Sequence, residues 1–105
     1  MANTFKSETD AGVTTLATIY TVGSSTTTVI LGLILGNTTT SQVTATVTLD
    51  KSSGDDVELI TNAPIPAGSS LELLAGNKVV METSDALKVS ASGATDVCLS
   101  IMEIT

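Results

Sequence analysis

A strict alternation of apolar and polar residues runs through the segment Ser41 to Asp50. An apolar residue stands at every second position from residue 43 onward, and threonines fill the places between: the apolar set is Val43, Ala45, Val47 and Leu49. A period of two turns one set of side chains toward the core and the other toward solvent. The pattern therefore predicts a β-strand that buries one face.

Two other segments are apolar on more than one face. Thr27 to Leu35 is a nearly continuous apolar run with Gly32 inside it, which is typical of a central strand packed closely against a neighbour. Near the C-terminus, both alternating sets contain apolar residues: Val97, Leu99 and Ile101 in one, Cys98 and Met102 in the other. We expect this last strand to be covered on both sides.

Five weaker strands are predicted between clusters of Gly, Asn, Asp and Ser, the residues that reverse a chain. They are Thr14 to Val22, Asp56 to Thr61, Ser70 to Leu74, Lys78 to Glu82 and Ala86 to Ser90. The run Ala75-Gly76-Asn77 is predicted to be a tight hairpin turn. Because proline lacks an N–H, the segment 63–68 with Pro64 and Pro66 is expected to cross between two sheets rather than form a central strand.

No stretch of ten residues shows helical periodicity with caps, and 105 residues suit one core. We therefore predict a single all-β domain over residues 1–105: an antiparallel β-sandwich of about eight short strands with essentially no helix. Residues 1–13 are mostly polar, with Phe5 as an isolated large apolar residue, and are predicted to be a possible extended N-terminal arm, either frayed or donated to a neighbour.

Several classes of function are disfavoured by the composition. The chain has no histidine and a net charge of −7, so imidazole chemistry is absent and nucleic acid is not an expected partner. The N-terminus has no apolar signal region, and the longest apolar run, Val29 to Gly36, is far shorter than the ~20 residues of a spanning helix. No membrane association is expected.

The residues that could act as metal ligands or nucleophiles have simpler structural explanations. Asp55 and Asp56 could offer oxygens to calcium, but a solvated hairpin tip explains them better. Serines such as Ser24 lack a base, and Cys98 is interpreted as a small buried apolar side chain. The sequence therefore predicts no catalytic residue, no metal site and no cofactor, and the protein is not expected to be an enzyme.

Four residues are candidate contacts to a partner or to another copy of the chain. Met102 and Ile104 of the C-terminal strand, which is apolar on both faces, need cover beyond that of one sandwich, and Phe5 is the isolated apolar residue of the arm. Tyr20 either anchors a contact or lies at the rim of the core with a wet hydroxyl. Aromatic residues make up only 2% of the chain, so association is expected to be extensive rather than based on a few hot spots.

The sequence resembles small virion structural proteins of tailed bacteriophages, notably those of marine cyanophages. The likeness lies in the segments Pro64 to Glu82, Asp85 to Ser92 and Asp96 to Thr105, with the opening Met1 to Ser7 and the central run Tyr20 to Leu33. Members of this group are non-enzymatic β-domains that decorate capsids or sit in the neck, tail or fibre apparatus, often as symmetric oligomers. The resemblance implies no catalytic residues.

The leading functional hypothesis is a capsid decoration or cement protein that binds the assembled shell as a homo-oligomer, with a trimer favoured. Its expected partners are copies of itself and the major capsid protein or other virion proteins. Its expected location is the virion, assembled in the host cytoplasm. The alternatives are a neck, tail or fibre-associated subunit and a host-facing adhesion module, the latter disfavoured by the shortage of aromatic residues.

Overall fold

The computed structural model describes residues 2–73 and 78–105. Every regular element in these ranges is a β-strand, and helices are absent from them. The strands are β1 (Asn3–Val13), β2 (Ala17–Thr21), β3 (Thr27–Asn37), β4 (Val43–Asp50), β5 (Val57–Ile65), β6 (Ser70–Leu73), β7 (Val79–Met81), β8 (Ala86–Ala91) and β9 (Thr95–Ile104). The end of the predicted strand at Leu74 and the predicted turn at 75–77 lie outside the described residues.

The strands form two antiparallel sheets, which confirms the predicted β-sandwich. Sheet 1 has the order β1-β9-β3-β6, and β7 also pairs with β3. Sheet 2 has the order β2-β8-β4-β5. All pairings within both sheets are antiparallel. Within the described ranges, no helix has the length and apolarity that a bilayer crossing requires.

The core lies between the two sheets and follows the period-two pattern of the sequence. In β4, buried and half-buried residues alternate along the whole strand, as predicted. From sheet 1, β3 and β9 direct large apolar side chains inward, and the fully buried ones include Ile30, Leu33, Leu35, Leu99 and Ile101. From sheet 2, Val47 and Val89 meet them with no exposed area. One apolar layer therefore joins the sheets.

The outer faces of β3 and β9 differ from the sequence prediction. β3 is central in sheet 1, but Ile34 on its outer side is 43% exposed, and Gly32 has no atom within 4 Å of an added Cβ. Cys98 and Met102 of β9 are only half-buried. Within one chain, sheet 2 covers only one face of sheet 1, so the outer side of β9 is open and Cys98 is half-buried rather than buried. The close packing predicted at Gly32 is absent for the same reason.

The chain begins to cross between the sheets at Pro66, three residues later than predicted. β5 continues through Pro64 to Ile65, and Pro64 lies opposite Thr44 of β4. The strand tolerates this proline because β5 is at the edge of sheet 2, where a missing N–H costs no ladder bond. The chain then passes to β6 of sheet 1, as the prediction of a crossing required.

A ninth strand, β1, lies in the segment predicted as an arm. It pairs with β9 of the same chain, from Asn3 opposite Ile104 to Asp10 opposite Val97. Residues 3–7 are nevertheless exposed on both faces, because no residue of sheet 2 covers them. The backbone ladder to β9 therefore holds this half of β1, with little help from side-chain burial.

Candidate interaction surface

An exposed row of apolar side chains crosses the outer face of sheet 1. The backbone register sets Phe5 opposite Met102, Met102 opposite Val29, and Val29 opposite Val80. We call these four residues the apolar row. Phe5 is 71% exposed and Val80 54%, whereas Met102 and Val29 are half-buried. Four neighbouring strands thus present one continuous apolar line to solvent.

The row exists because β3 and β7 are apolar on both of their faces. Val29 follows the buried Thr28 and precedes the buried Ile30, and Val80 lies next to the buried Met81. Exposed apolar residues scattered singly are ordinary on proteins, but a contiguous line marks an interaction surface. The outer face of sheet 1 is therefore the candidate functional site.

A groove opens further along the same face. Its volume is about 340 Å³, and its lining residues come from β1, β3 and β9: Thr9, Asp10, Ala11, Ile34, Gly36, Asp96, Val97 and Cys98. The groove lies where the pairing register of β1 and β9 shifts between Asp10 and Val13. Gly12 adopts a positive φ of 67° there, and its N–H donates to Asp96 Oδ1 at 3.0 Å. The groove therefore lies beside the irregularity in the pairing of β1 with β9.

Two exposed carboxylates lie at the groove end of this face. Of the strand residues on the outer side of sheet 1, Glu72 lies opposite Ile34 and Asp96 opposite Gly36, and both are exposed. Between the groove and the apolar row lie the small residues Ser7, opposite Ser100, and Gly32, also opposite Ser100, next to the half-buried Leu31. In a chain with net charge −7, this is an unusually neutral surface.

Tyr20 lies on the other side of sheet 1, between the sheets. It is 8% exposed, and its hydroxyl donates to the carboxylate of Glu103 and accepts from the Thr28 hydroxyl at 2.8 Å. Lys6 Nζ is 3.7 Å from carboxylate oxygens of both Glu8 and Glu103. Burial, followed by the hydrogen bond to Glu103, raises the pKa of Tyr20 to about 12. This polar cluster secures β2 to the ends of β1 and β9.

The raised pKa of Tyr20 predicts a loss of stability at alkaline pH. Its ordinary value is 10.0, so the folded state favours the neutral phenol, and the stabilisation is complete below pH 10. It is lost as the pH rises from 10 towards 12. We expect the free energy of unfolding to fall over this range in the parent and to fall less in Tyr20→Phe, as measured by urea titration at each pH. Equal slopes in the two proteins would contradict this assignment.

The predicted contact residues fall into two groups in the structure. Phe5 and Met102 lie side by side in the apolar row, and Ile104 follows Met102 along β9 on the same face. Tyr20 is buried on the opposite side of that sheet. Val29, Val80 and Ile34 were missed by the sequence analysis, although the unbroken run from Val29 to Leu35 carried the signal that both faces of β3 are apolar.

The acidic turn considered for calcium has a different set of contacts. Asp50 pairs with Lys88 at 2.7 Å, and this hydrogen bond lowers the pKa of Asp50. A hydrogen bond with Asp50 raises the pKa of Asp56. Within residues 2–73 and 78–105, no three His, Cys, Asp or Glu side chains converge as metal ligands would. The contacts among these residues are those of a charged turn at the surface.

Comparison with known proteins finds a similar fold but identifies no family. No family model matches the chain, and no curated protein matches it. Among solved structures, the chain is similar to a subunit of Bacillus endospore appendages, which are described as disulfide-linked pili. The two chains are 17% identical with a TM-score of 0.53, and the match covers 96% of this chain and 85% of that chain. That likeness supports a shared fold.

Two chains from infectious bursal disease virus show weaker likeness. The Gx strain chain has 11% identity and a TM-score of 0.33, and the Gt strain chain has 14% identity and a TM-score of 0.20. The present chain covers 37% and 35% of their respective lengths. At these scores the viral chains support no inference about function.

Proposed function

We propose that this chain is a non-enzymatic structural subunit that self-associates and binds a larger protein assembly, specifically as a capsid decoration protein of a tailed bacteriophage. The observation that carries the proposal is the apolar row across the open face of sheet 1, with Phe5 71% exposed and Val80 54% exposed. A contiguous exposed apolar line of this kind marks a surface for contact with a partner. The phage capsid, and the major capsid protein as partner, come from the sequence resemblance.

Repetition compensates for the small size of each contact. Burying a Phe side chain stabilises a complex by roughly 1.5–3 kcal/mol, which is weak for one subunit. In a symmetric assembly, the second and later contacts form at high effective concentration, so many weak contacts hold firmly. A homo-oligomer located on the virion therefore suits a 10.6 kDa domain with few aromatic residues.

A second candidate is a subunit of a fibre or appendage. It is favoured by the likeness to the endospore pilus subunit, which extends over 96% of this chain. The two candidates predict different products from purified protein. A decoration protein forms closed oligomers that bind preformed shells, whereas a fibre subunit polymerises without an end.

The test is binding of the purified protein to phage particles that lack it. Under the proposal, the protein forms discrete oligomers in electron micrographs and co-sediments with the particles until the sites are saturated. Open-ended filaments in the absence of particles would instead support the fibre candidate. A monomer at all concentrations that binds no particle would contradict both.

Phe5→Asp is expected to weaken self-association and, because particle binding depends on many linked contacts, to weaken particle binding at least tenfold. The substitution removes the most exposed apolar side chain of the row and adds a charge to a neutral surface, while the fold should persist because the site is 71% exposed. Leu16→Asp is the matched control, since Leu16 is 60% exposed but lies outside sheet 1. Equal binding by both variants would show that the apolar row is not the contact surface.

A further inference from the structure

The outer face of sheet 1 carries both a projecting side chain and a recess that could receive it. Phe5 projects at one end, and the groove around Thr9 and Cys98 opens at the other. Thr9 lies four positions after Phe5 in β1, which corresponds to about 13 Å along an extended strand. Both features open to the same side of the molecule.

We propose that a second copy of this chain covers the outer face of sheet 1, face to face, with Phe5 of each copy inserted into the groove of the other. This inference rests on the proposed self-association and specifies its surface and symmetry. Because the projection and the recess share one face, each copy must present that same face to its partner. Such a contact is isologous, with a two-fold axis perpendicular to the strands. The geometry thus favours pairs over the threefold order expected from the sequence.

The size and chemistry of the groove suit an aromatic ring. An apolar protein cavity of about 150 Å³ accepts a benzene molecule, and the groove measures about 340 Å³. Ile34, Gly36 and Cys98 contribute apolar or weakly polar lining. The groove therefore has room for the ring of Phe5 together with part of its neighbouring backbone.

The distribution of charge supports the antiparallel arrangement. The two-fold axis would pass near the small residues Ser7, Ser100 and Gly32, where a partner can approach closely. Glu72 and Asp96 at the groove end of one copy would then face the uncharged Phe5 end of the other. A parallel arrangement would set these carboxylates against their own copies, which is unfavourable.

The available area indicates a weak pair that is reinforced by an array. Four strands about 4.8 Å apart and eight residues of about 3.3 Å each give a face of roughly 500 Å². A stable interface of standard size buries about 800 Å² per partner. Pairing should therefore depend on concentration in solution and become firm when the subunits are also held by a larger assembly.

A pair of complementary variants tests the contact directly. Phe5→Ala removes the projection, and Gly36→Leu fills the groove; a Cβ at Gly36 meets only the Asp96 carbonyl oxygen, at 3.9 Å, so the fold should accept it. In sedimentation experiments, the parent should reach twice the mass of the 10.6 kDa chain, whereas each variant alone should remain a monomer at the same concentration. An equimolar mixture should recover dimers, because the open groove of Phe5→Ala receives Phe5 of the Gly36→Leu chain.

Cys98 reports on the same contact without any change in the groove. It is the single cysteine of the chain and lies in the groove lining, so a partner's Phe5 should cover its thiol. Maleimide labelling should slow at least fivefold as the parent is concentrated, and should stay fast in Phe5→Ala. Leu16→Ala should behave as the parent, since Leu16 lies outside sheet 1. The labelling also tests the contact if Gly36→Leu fails to fold.

Three results would overturn the paired arrangement. They are a parent three times the mass of the chain, a mixture of folded variants that stays monomeric, and labelling of Cys98 that does not depend on concentration. If the paired arrangement fails but the parent still forms oligomers or binds particles, the structural role stands. If the parent neither associates nor binds particles, the proposed function fails with it.

Discussion

Replacing Val47 with aspartate is expected to unfold the domain. Val47 has no exposed area and lies in β4, between β8 and β5 in sheet 2. An aspartate there would bury an unpaired carboxylate or force it to bind a proton, at a cost on the order of 5 kcal/mol, which rivals the whole stability of a small domain. Circular dichroism should show loss of the β-sheet spectrum at 25 °C.

The neighbouring substitution Thr48→Asp provides the matched control. Thr48 is half-buried on the other face of β4 and lies opposite Lys88 on one side and Glu58 on the other. The new carboxylate would remain hydrated there, so the melting temperature should change by only a few degrees. If Val47→Asp melts like the parent, the assignment of the core between the sheets is wrong.

Asp85→Ala is expected to lower the free energy of unfolding by about 3–5 kcal/mol, the second largest effect after that of Val47→Asp. The Asp85 side chain is 1% exposed and accepts from Lys51 Nζ at 2.6 Å and from the backbone N–H groups of Ser52 and Glu82 at 3.0 and 2.9 Å. Removing it leaves these donors without their acceptor and frees the turn before β8 from the turn after β4. The free energy of unfolding in urea measures the loss.

Glu82→Gln is the matched control, because Glu82 also forms an ion pair with Lys51. Glu82 contacts Lys51 at 2.8 Å, but its side chain is 72% exposed, and exposed pairs contribute 1 kcal/mol or less. Its loss should therefore be small. Comparable losses in Asp85→Ala and Glu82→Gln would contradict the claim that the buried hydrogen bonds of Asp85, rather than charge alone, secure the two turns.

The Asp85 carboxylate also predicts how the stability of the fold responds to acid. Burial alone would raise the pKa of Asp85, but the hydrogen bonds from Lys51 and from the backbone outweigh burial and lower it to about 2, from an ordinary 3.8. Because the pKa is lowered in the folded state, the ionised carboxylate stabilises the fold above pH 4. This contribution disappears as the pH falls towards 2. Asp85→Asn should therefore lose less stability than the parent between pH 4 and pH 2 in urea titrations. Parallel curves would contradict this.

The fold was predictable where local pattern and burial agree. The alternation in β4, the turn residues between the other strand segments, the proline crossing and the lack of helical periodicity together predicted the sandwich. β1 was not predicted as a strand of the sandwich because residues 3–7 are exposed on both faces, so its sequence has no alternation of apolar and polar residues. Its pairing with β9, far along the chain, comes from the backbone ladder.

The interaction surface was predictable only in part, for a similar reason. Phe5 and Met102 stood out in the sequence as apolar residues without evident cover. Their place in one row with Val29 and Val80 depends on the register of four strands, which are far apart along the chain. The groove lies beside a register shift and the positive φ of Gly12, and neither has a specific signature in the sequence.

The number of copies of this chain in purified virions tests the central claim most directly. Quantitative mass spectrometry with isotope-labelled standards should find hundreds of copies per particle if the chain decorates the capsid. A count of a few to dozens would move the protein to the neck, tail or fibre. Absence of the chain from virions would contradict its proposed role as a virion structural protein.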